Sequence, residues 1–121
     1  MQIDDEDRLT LKEEEDVTFI QIKGNIDLYT TPELKDAFDK LNLSQKNKII
    51  IDLLNVDFID SSGLGILVTQ ALYLQKRKLV LKFINVNSTI SHVFSLGGFT
   101  RSFKRFSDKE EAMNSTWEFG V

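Results

Sequence analysis

The centre of the chain passes from one apolar segment into another across a short junction, and this arrangement restricts the fold. Residues 48–54 are rich in isoleucine and nearly continuous in apolar residues, which is typical of a buried strand. Further on, apolar residues recur at the spacing of a helix face that reaches about Gln75, namely Leu64, Leu67, Ala71 and Leu74. A buried strand that leads directly into such a helix is typical of α/β folds.

Asp60, Ser61 and Ser62 lie in the junction, where the helix is expected to begin. Asp and Ser cap helix N-termini because a side-chain oxygen accepts a hydrogen bond from an otherwise unpaired backbone N–H. Gly63 and Gly65 remove side chains beside the hydroxyls, so a partner's backbone or a nucleotide could approach closely. A phosphate at this position would also meet the positive end of the helix dipole.

The N-terminal part of the chain predicts a hairpin. Leu9 and Leu11 alternate with polar residues in a short first strand, and the acidic residues 13–16 form the turn. Residues 17–23 form the second strand, which Gly24 ends. The tight link indicates antiparallel pairing of the two strands.

A helix follows the hairpin. Asp27 lies in the intervening loop, Thr31 is placed to cap the helix, and Pro32 suits its first position. Leu34 and Phe38 recur at helical spacing and predict the buried face.

Two further strands and two further helices are expected after the central helix. In order, they are a strand at 79–84, a short helix capped by Asn87 or Ser88, a strand at 102–106, and a helix at 108–113 capped by Ser107. Residues 114–121 remain as a tail.

The predicted order β-β-α-β-α-β-α-β-α specifies one α/β domain over residues 1–121, with a core at about 8–113. Right-handed crossovers give a mixed, mostly parallel sheet of about five strands with an antiparallel N-terminal edge strand, packed with about four helices. Sites in such sheets lie beyond the carboxyl ends of parallel strands. Asp27 and Ser61 each follow such an end, so we expect them at one edge of the sheet.

Residues 60–65, Asp-Ser-Ser-Gly-Leu-Gly, resemble the signature of the STAS-domain anti-sigma factor antagonists of bacteria. In that family the motif follows an apolar strand and opens a helix. A second family element, a Gly-x-Leu/Ile-Asp turn after an earlier strand, is matched by residues 24–27, Gly-Asn-Ile-Asp. The two motifs occur in the family's order, and the pattern of elements matches over almost the whole chain.

The resemblance implies a switch protein with two partners and no cofactor of its own. One partner is an anti-sigma factor that is also a serine kinase, and it uses ATP and Mg²⁺ on its own subunit; the other is a serine phosphatase. The unphosphorylated antagonist binds the kinase and displaces its sigma factor, and phosphorylation of Ser61 ends the binding. The family also suggests a monomer. The partner-binding residues implied by the motifs are Gly24, Asp27, Asp60, Ser61, Ser62, Gly63 and Gly65.

Most of these residues also have a purely structural interpretation. Ser61 could serve only as a helix cap, and Asp60 either orients the Ser61 hydroxyl or contributes to the cap alone. Asp27 is either a turn residue or a partner contact. Gly63 and Gly65 either permit close packing of helix on sheet or keep a recognition surface flat.

The composition argues against several other classes of protein. The net charge of −4 and the pI of about 5.0 disfavour nucleic-acid binding, which normally needs a basic face. The sequence has no cysteine, which excludes disulfides and cysteine metal sites. It has no apolar run of about 18 residues to cross a membrane, and its acidic N-terminus is unlike a signal peptide. We therefore expect a cytoplasmic protein without membrane contact.

Enzyme motifs do not fit. A nucleophile elbow centred on Ser61 needs glycine where Ile59 stands, and a dinucleotide fingerprint starting at Gly63 needs glycine where Val68 stands. No Walker-type Gly-Lys-Ser/Thr is present. We predict a non-enzymatic protein. Two alternatives stay open: a STAS interaction scaffold in a signalling assembly and, less favoured, a small-ligand-binding or hydrolytic α/β domain that uses Ser61.

Overall fold

The computed structural model describes residues 8–43, 47–96 and 104–117, with the backbone alone at 41–43. These residues form five strands and four helices. Along the chain they are β1 (Leu9–Glu14), β2 (Val17–Ile26), α1 (Thr31–Leu43), β3 (Lys48–Ile59), α2 (Ser61–Lys76), β4 (Val80–Ile84), α3 (Ser88–Leu96), β5 (Lys104–Phe106) and α4 (Lys109–Asn114).

The strands form one sheet in the order β1-β2-β3-β4-β5. β1 pairs with β2 antiparallel, and every later neighbour pair is parallel. This topology confirms the predicted mixed sheet with an antiparallel N-terminal edge strand. It also makes β2 and β3 parallel neighbours, which places the loops after them at the same edge.

The two faces of the sheet carry different hydrophobic clusters. Alternate strand residues point to opposite faces, so Ile49 and Ile51 of β3 join the main cluster, whereas Ile50 joins a smaller one. The main cluster includes buried side chains of α1, α2 and α3, among them Phe38, Leu67 and Phe94. The smaller cluster combines Val17, Ile50 and Ile84 with Ala112 of α4.

The hairpin turn is shorter than the sequence predicts. Glu13 and Glu14 belong to β1, where they pair with Thr18 and Val17, and the turn consists of Glu15 and Asp16. β1 is the edge strand, and its acidic residues remain at least partly exposed. Charged side chains are therefore compatible with strand pairing here.

Two strands are longer than predicted. β2 does not end at Gly24 but continues to Ile26, and β3 continues past residue 54 to Ile59. The extended parts pair with each other through register shifts, between Gln21 and Lys23 and again between Gly24 and Asn25. Such irregularities let strands continue through sequences that lack regular alternation.

Thr31 does not cap α1, since it is the first helical residue. Its hydroxyl donates a hydrogen bond to the Leu28 carbonyl at 3.1 Å. The preceding carbonyl, that of Thr30, accepts a hydrogen bond from the Leu34 N–H at 3.4 Å.

The caps of the last two helices are also settled. Asn87, one of the two predicted candidates, caps α3 by accepting a hydrogen bond from the Ile90 N–H at 2.8 Å. Asp108 rather than Ser107 caps α4, since its carboxylate accepts a hydrogen bond from the Glu111 N–H at 2.9 Å. Of the strand predicted at 102–106, the structure describes Lys104–Phe106; residues 102 and 103 lie outside the described residues.

Packed structure continues beyond residue 113. Lys82 of β4 is fully buried, and its ammonium donates hydrogen bonds to the Ala112 carbonyl and the Ser115 hydroxyl, both at 2.6 Å. The same ammonium lies 3.6 Å from the ring centroid of Trp117. Trp117 therefore docks on the body; Phe119, the other aromatic of the predicted tail, lies outside the described residues.

Candidate functional site

The loops that follow β2 and β3 lie against each other. Ile26 and Ile59, the last residues of the two strands, are paired. The Asp60 N–H donates a hydrogen bond to the Ile26 carbonyl at 3.1 Å, so the link continues beyond the strands. Asp27 and Ser61 consequently share one edge of the sheet, as expected for neighbouring parallel strands.

The start of α2 is capped by Asp60 and exposes both serines. The Asp60 backbone is extended, and its Oδ1 accepts a hydrogen bond from the Gly63 N–H at 2.7 Å. The Asp60 carbonyl accepts the Leu64 N–H at 2.8 Å. Ser61 and Ser62 are the first two helical residues, and both are exposed. Because the aspartate forms the cap, Ser61 is not needed for that purpose.

The two glycines of the motif have different environments. Gly63 is buried, and a Cβ built on it would overlap the Ile26 carbonyl oxygen and stand 2.6 Å from the carbonyl carbon. A Cβ on Gly65 would have nothing within 4 Å, and Gly65 is exposed. Gly63 thus serves close packing of α2 against the end of β2. Gly65 has no such packing role, so a flat surface beside the serines is the remaining interpretation for it.

Residues 27–30 form a turn held by Asp27. Its Oδ1 accepts hydrogen bonds from the N–H groups of Tyr29 and Thr30 at 2.9 and 3.1 Å. The Thr30 hydroxyl accepts a hydrogen bond from the Asp27 N–H and donates one to the Asn25 carbonyl, both at 2.9 Å. The Asp27 carboxylate is therefore engaged inside the turn. Its direct role is to fix the shape of this loop, while Leu28 and Tyr29 project from it.

Gly24 lies under the guanidinium of Arg8. Its φ of +85° is a conformation that favours glycine, and a Cβ there would collide with the Arg8 side chain. Arg8 donates a hydrogen bond to the Asn25 carbonyl and forms an ion pair with Glu33 at 3.5 Å. The guanidinium thus ties the end of β2 to the first turn of α1.

Sequence reasoning missed Arg8, Leu28 and Tyr29. No local sequence pattern points to Arg8, since its contact with Asn25 depends on the register that pairs Leu9 with Ile22. Leu28 and Tyr29 could have been found, since two adjacent apolar residues in a predicted loop are a recognisable sequence pattern. Their exposed fractions, 63% and 87%, show that they do not belong to the core.

The described residues contain neither a candidate metal site nor a candidate membrane span. Across 8–43, 47–96 and 104–117, no group of three or more His, Cys, Asp and Glu side chains is arranged to hold a metal ion. Within the same ranges, no helix has the length and apolar character needed to cross a membrane.

Comparison with known proteins gives three informative likenesses. The chain is similar to an anti-sigma-B factor antagonist of Staphylococcus aureus, with 29% identity over 79 residues that cover 65% of this chain and 73% of that protein. It is also similar to a candidate anti-sigma factor antagonist from Thermotoga maritima, with a TM-score of 0.79 and 26% identity; the match covers 87% of this chain and 91% of the other.

The third likeness is to SpoIIAA, a Bacillus cell fate determinant solved in its phosphorylated form. The TM-score is 0.68 and the match covers 88% of this chain and 96% of that chain, at 19% identity. At that identity the likeness shows the fold. The family model that matches this chain is that of the STAS domain, and it covers residues 8–112. The chain therefore belongs to the STAS domain family.

Proposed function

We propose that this chain is an anti-sigma factor antagonist, whose unphosphorylated form binds an anti-sigma factor that is also a serine kinase and so releases a sigma factor. The observation that carries the proposal is the position of Ser61. It is exposed in the first turn of a helix whose cap is made by another residue, and it lies beside the turn at 27–30. The Staphylococcus aureus relative bears the name of this function, which supports the proposal.

The proposed contact surface is the sheet edge that carries both motifs. Ser61, Ser62 and Gly65 contribute exposed positions, whereas Gly63 is buried and contributes by letting α2 approach β2. The remaining residues hold the backbone of the two loops in place and border the serines; they are Gly24, Asp27 and Asp60.

Phosphorylation of Ser61 would weaken binding through local electrostatics. A phosphate adds about −1.5 to −2 charges and three acceptor oxygens. Asp60 precedes the serine directly, and Asp27 lies on the neighbouring loop, so the new charge would join two carboxylates on one surface. Desolvating or repelling that charge in an interface at a cost of about 3 kcal/mol lowers affinity more than a hundredfold.

We expect phosphorylation of Ser61 to leave the fold unchanged. A phosphate on the first residue of α2 would stand at the positive end of the helix dipole, where negative charge is stabilising. The phosphorylated chain would keep its structure and lose its partner. The switch then needs no refolding, only a change in surface charge.

The chain acts by binding rather than by catalysis, and it needs no cofactor of its own. It works as one domain over residues 1–121 and as a monomer in the cytoplasm. ATP and Mg²⁺ belong to the kinase partner. A serine phosphatase restores the binding-competent form.

The function is tested by release of the sigma factor. The Ser61→Ala variant, which resists phosphorylation, serves as bait for the anti-sigma factor in cells that make this protein, with Ser61→Asp as the matched bait. The captured anti-sigma factor is purified and loaded with its sigma factor, and the wild-type chain is added. We expect sigma factor to be released in proportion to the antagonist added.

Two results would contradict this function. Partners that include neither an anti-sigma factor nor a kinase would favour the scaffold. Hydrolysis or saturable small-molecule binding that disappears in Ser61→Ala would favour the α/β domain that uses Ser61 chemically.

A further inference from the structure

Tyr29 is the most exposed large hydrophobic side chain among the described residues. Its exposed fraction is 87%, and the adjacent Leu28 is exposed to 63%. Scattered apolar residues are common on protein surfaces, but two adjacent ones at the tip of a four-residue turn form a small projecting patch.

Hydrogen bonds within the turn that carries this pair hold its backbone in one conformation. The N–H of Tyr29 is bound to the Asp27 carboxylate at 2.9 Å, and the N–H of Thr31 is bound to the Asp27 carbonyl at 3.0 Å. The Thr30 hydroxyl bridges Asp27 and Asn25. Because the backbone is already fixed, a partner that covers the two side chains pays little to order the loop.

The pair lies on the surface proposed to bind the anti-sigma factor. Leu28 and Tyr29 follow Ile26 by two and three residues, and Ser61 follows Ile59 by two residues. Ile26 and Ile59 are paired, and the Ile26 carbonyl also holds the Asp60 N–H. Neighbouring strands are about 4.8 Å apart, so a protein seated on Leu28 and Tyr29 also lies against Ser61.

We propose that Leu28 and Tyr29 anchor this chain to the anti-sigma factor by inserting into an apolar pocket on it. The proposal rests on the function proposed above and deepens it. Tyr29 contributes most of the affinity, since tyrosine is enriched among residues that dominate binding energy, and Leu28 adds apolar contact area beside it. Ser61 contributes little affinity itself and acts as the switch, because its phosphate separates surfaces that the anchor holds together.

The experiment compares Tyr29 with a second exposed tyrosine that lies far from Ser61. Tyr73 is also exposed, at 47%, but stands on α2 at about 18 Å from Ser61 along the helix axis. The probe is the purified anti-sigma factor captured with Ser61→Ala. Its dissociation constant is measured for wild type, Leu28→Ala, Tyr29→Ala, Tyr29→Phe, Tyr73→Ala and Ser61→Asp, with the melting temperature of each variant.

We expect Tyr29→Ala and Leu28→Ala each to weaken binding at least tenfold without a fall in melting temperature. Tyr29→Phe keeps the ring and should retain the wild-type affinity, and Tyr73→Ala should stay within twofold of wild type.

The anchor is overturned if Tyr29→Ala stays within twofold while Ser61→Asp still weakens binding; the proposed function then stands. A wild-type chain that forms dimers dispersed by Tyr29→Ala would overturn it too, since the pair would cover a second copy. Failure of wild type to bind any anti-sigma factor defeats the proposed function itself.

Discussion

The Ile26 carbonyl fills the space that a side chain on Gly63 would need. A Cβ on Gly63 would overlap the Ile26 carbonyl oxygen and lie 2.6 Å from the carbonyl carbon, and the same carbonyl accepts the Asp60 N–H at 3.1 Å. One backbone group at the end of β2 therefore limits how closely the first turn of α2 can approach that strand. The two loops that carry the motifs are joined by this contact, so the position of Ser61 depends on β2 as well as on its own helix.

Alanine substitutions at the two motif glycines should have opposite effects on stability. Gly63→Ala forces a Cβ against a backbone carbonyl that strand pairing holds, so we expect a loss of about 2–3 kcal/mol in the free energy of unfolding. Gly65→Ala meets open space in a helix and should add up to about 1 kcal/mol. Urea unfolding measures both.

The same pair tests the role of Gly65 in recognition. If the surface beside the serines must stay flat, Gly65→Ala binds the anti-sigma factor less tightly although it is the more stable protein. Unchanged affinity would remove Gly65 from the contact surface, and a stable Gly63→Ala would contradict the packing described for α2.

Asp60 is expected to act as a cap. Asp60→Ala removes the acceptor of the Gly63 N–H, so the free energy of unfolding should fall by about 1 kcal/mol. Asp60→Asn keeps an acceptor oxygen and should recover most of that loss. Measuring phosphorylation of Asp60→Asn by the kinase separates the two roles: a normal rate fits a cap alone, and a reduced rate with normal stability shows that the carboxylate also orients Ser61.

Lys82 should make stability depend on pH in the alkaline range. Burial lowers the pKa of Lys82 from 10.5 to about 8, and the ammonium groups of Lys104 and Lys48 add to this effect. Between these two values the unfolded chain binds more protons than the folded chain. The contribution of Lys82 to stability therefore rises as the pH increases from about 8 towards 10.5.

The measurement is urea unfolding of wild type and Lys82→Met from neutral pH to about pH 10. The difference in unfolding free energy, wild type minus variant, should grow above about pH 8 with a limiting slope of about 1.4 kcal/mol per pH unit, reached where only the unfolded chain keeps the Lys82 proton. A difference that does not change with pH would mean that Lys82 titrates as it does in the unfolded chain.

Ser61 variants should separate charge from size. Ser61→Ala and Ser61→Asn should bind the anti-sigma factor about as tightly as wild type, whereas Ser61→Asp should bind about tenfold more weakly, which corresponds to about 1.4 kcal/mol. Asparagine is the matched control because it has the size of aspartate without the charge. Equal affinity of the aspartate and asparagine variants would count against an electrostatic switch.

Local patterns in the sequence were enough to predict the order of elements and the start of α2. The strand at 48–54 and the helix face after it are carried by apolar periodicity, and residues 60–65 open α2 as predicted. Residues 24–26, by contrast, belong to β2 and not to the turn predicted there. The true ends of β2 and β3 could not be found in this way. Residues 55–59 lack regular alternation, and they extend β3 because β2 offers a partner through two register shifts.

Lys82 shows a second limit of sequence reasoning. A lysine between Leu81 and Phe83 would ordinarily mark an exposed strand position. It is buried because acceptors from Ala112 and Ser115, thirty or more residues away, surround its ammonium. No local pattern encodes such a contact, and the same holds for the guanidinium of Arg8 over Gly24.

Phosphopeptide mass spectrometry shows whether Ser61 is a phosphorylation switch. The protein is isolated from its own cells in two growth states, and the peptide that contains Ser61 and Ser62 is fully sequenced. We expect phosphate on Ser61, with an occupancy that changes between the two states. A fully covered peptide that carries no phosphate in either state, or carries it only on Ser62, would mean that Ser61 is not the switch.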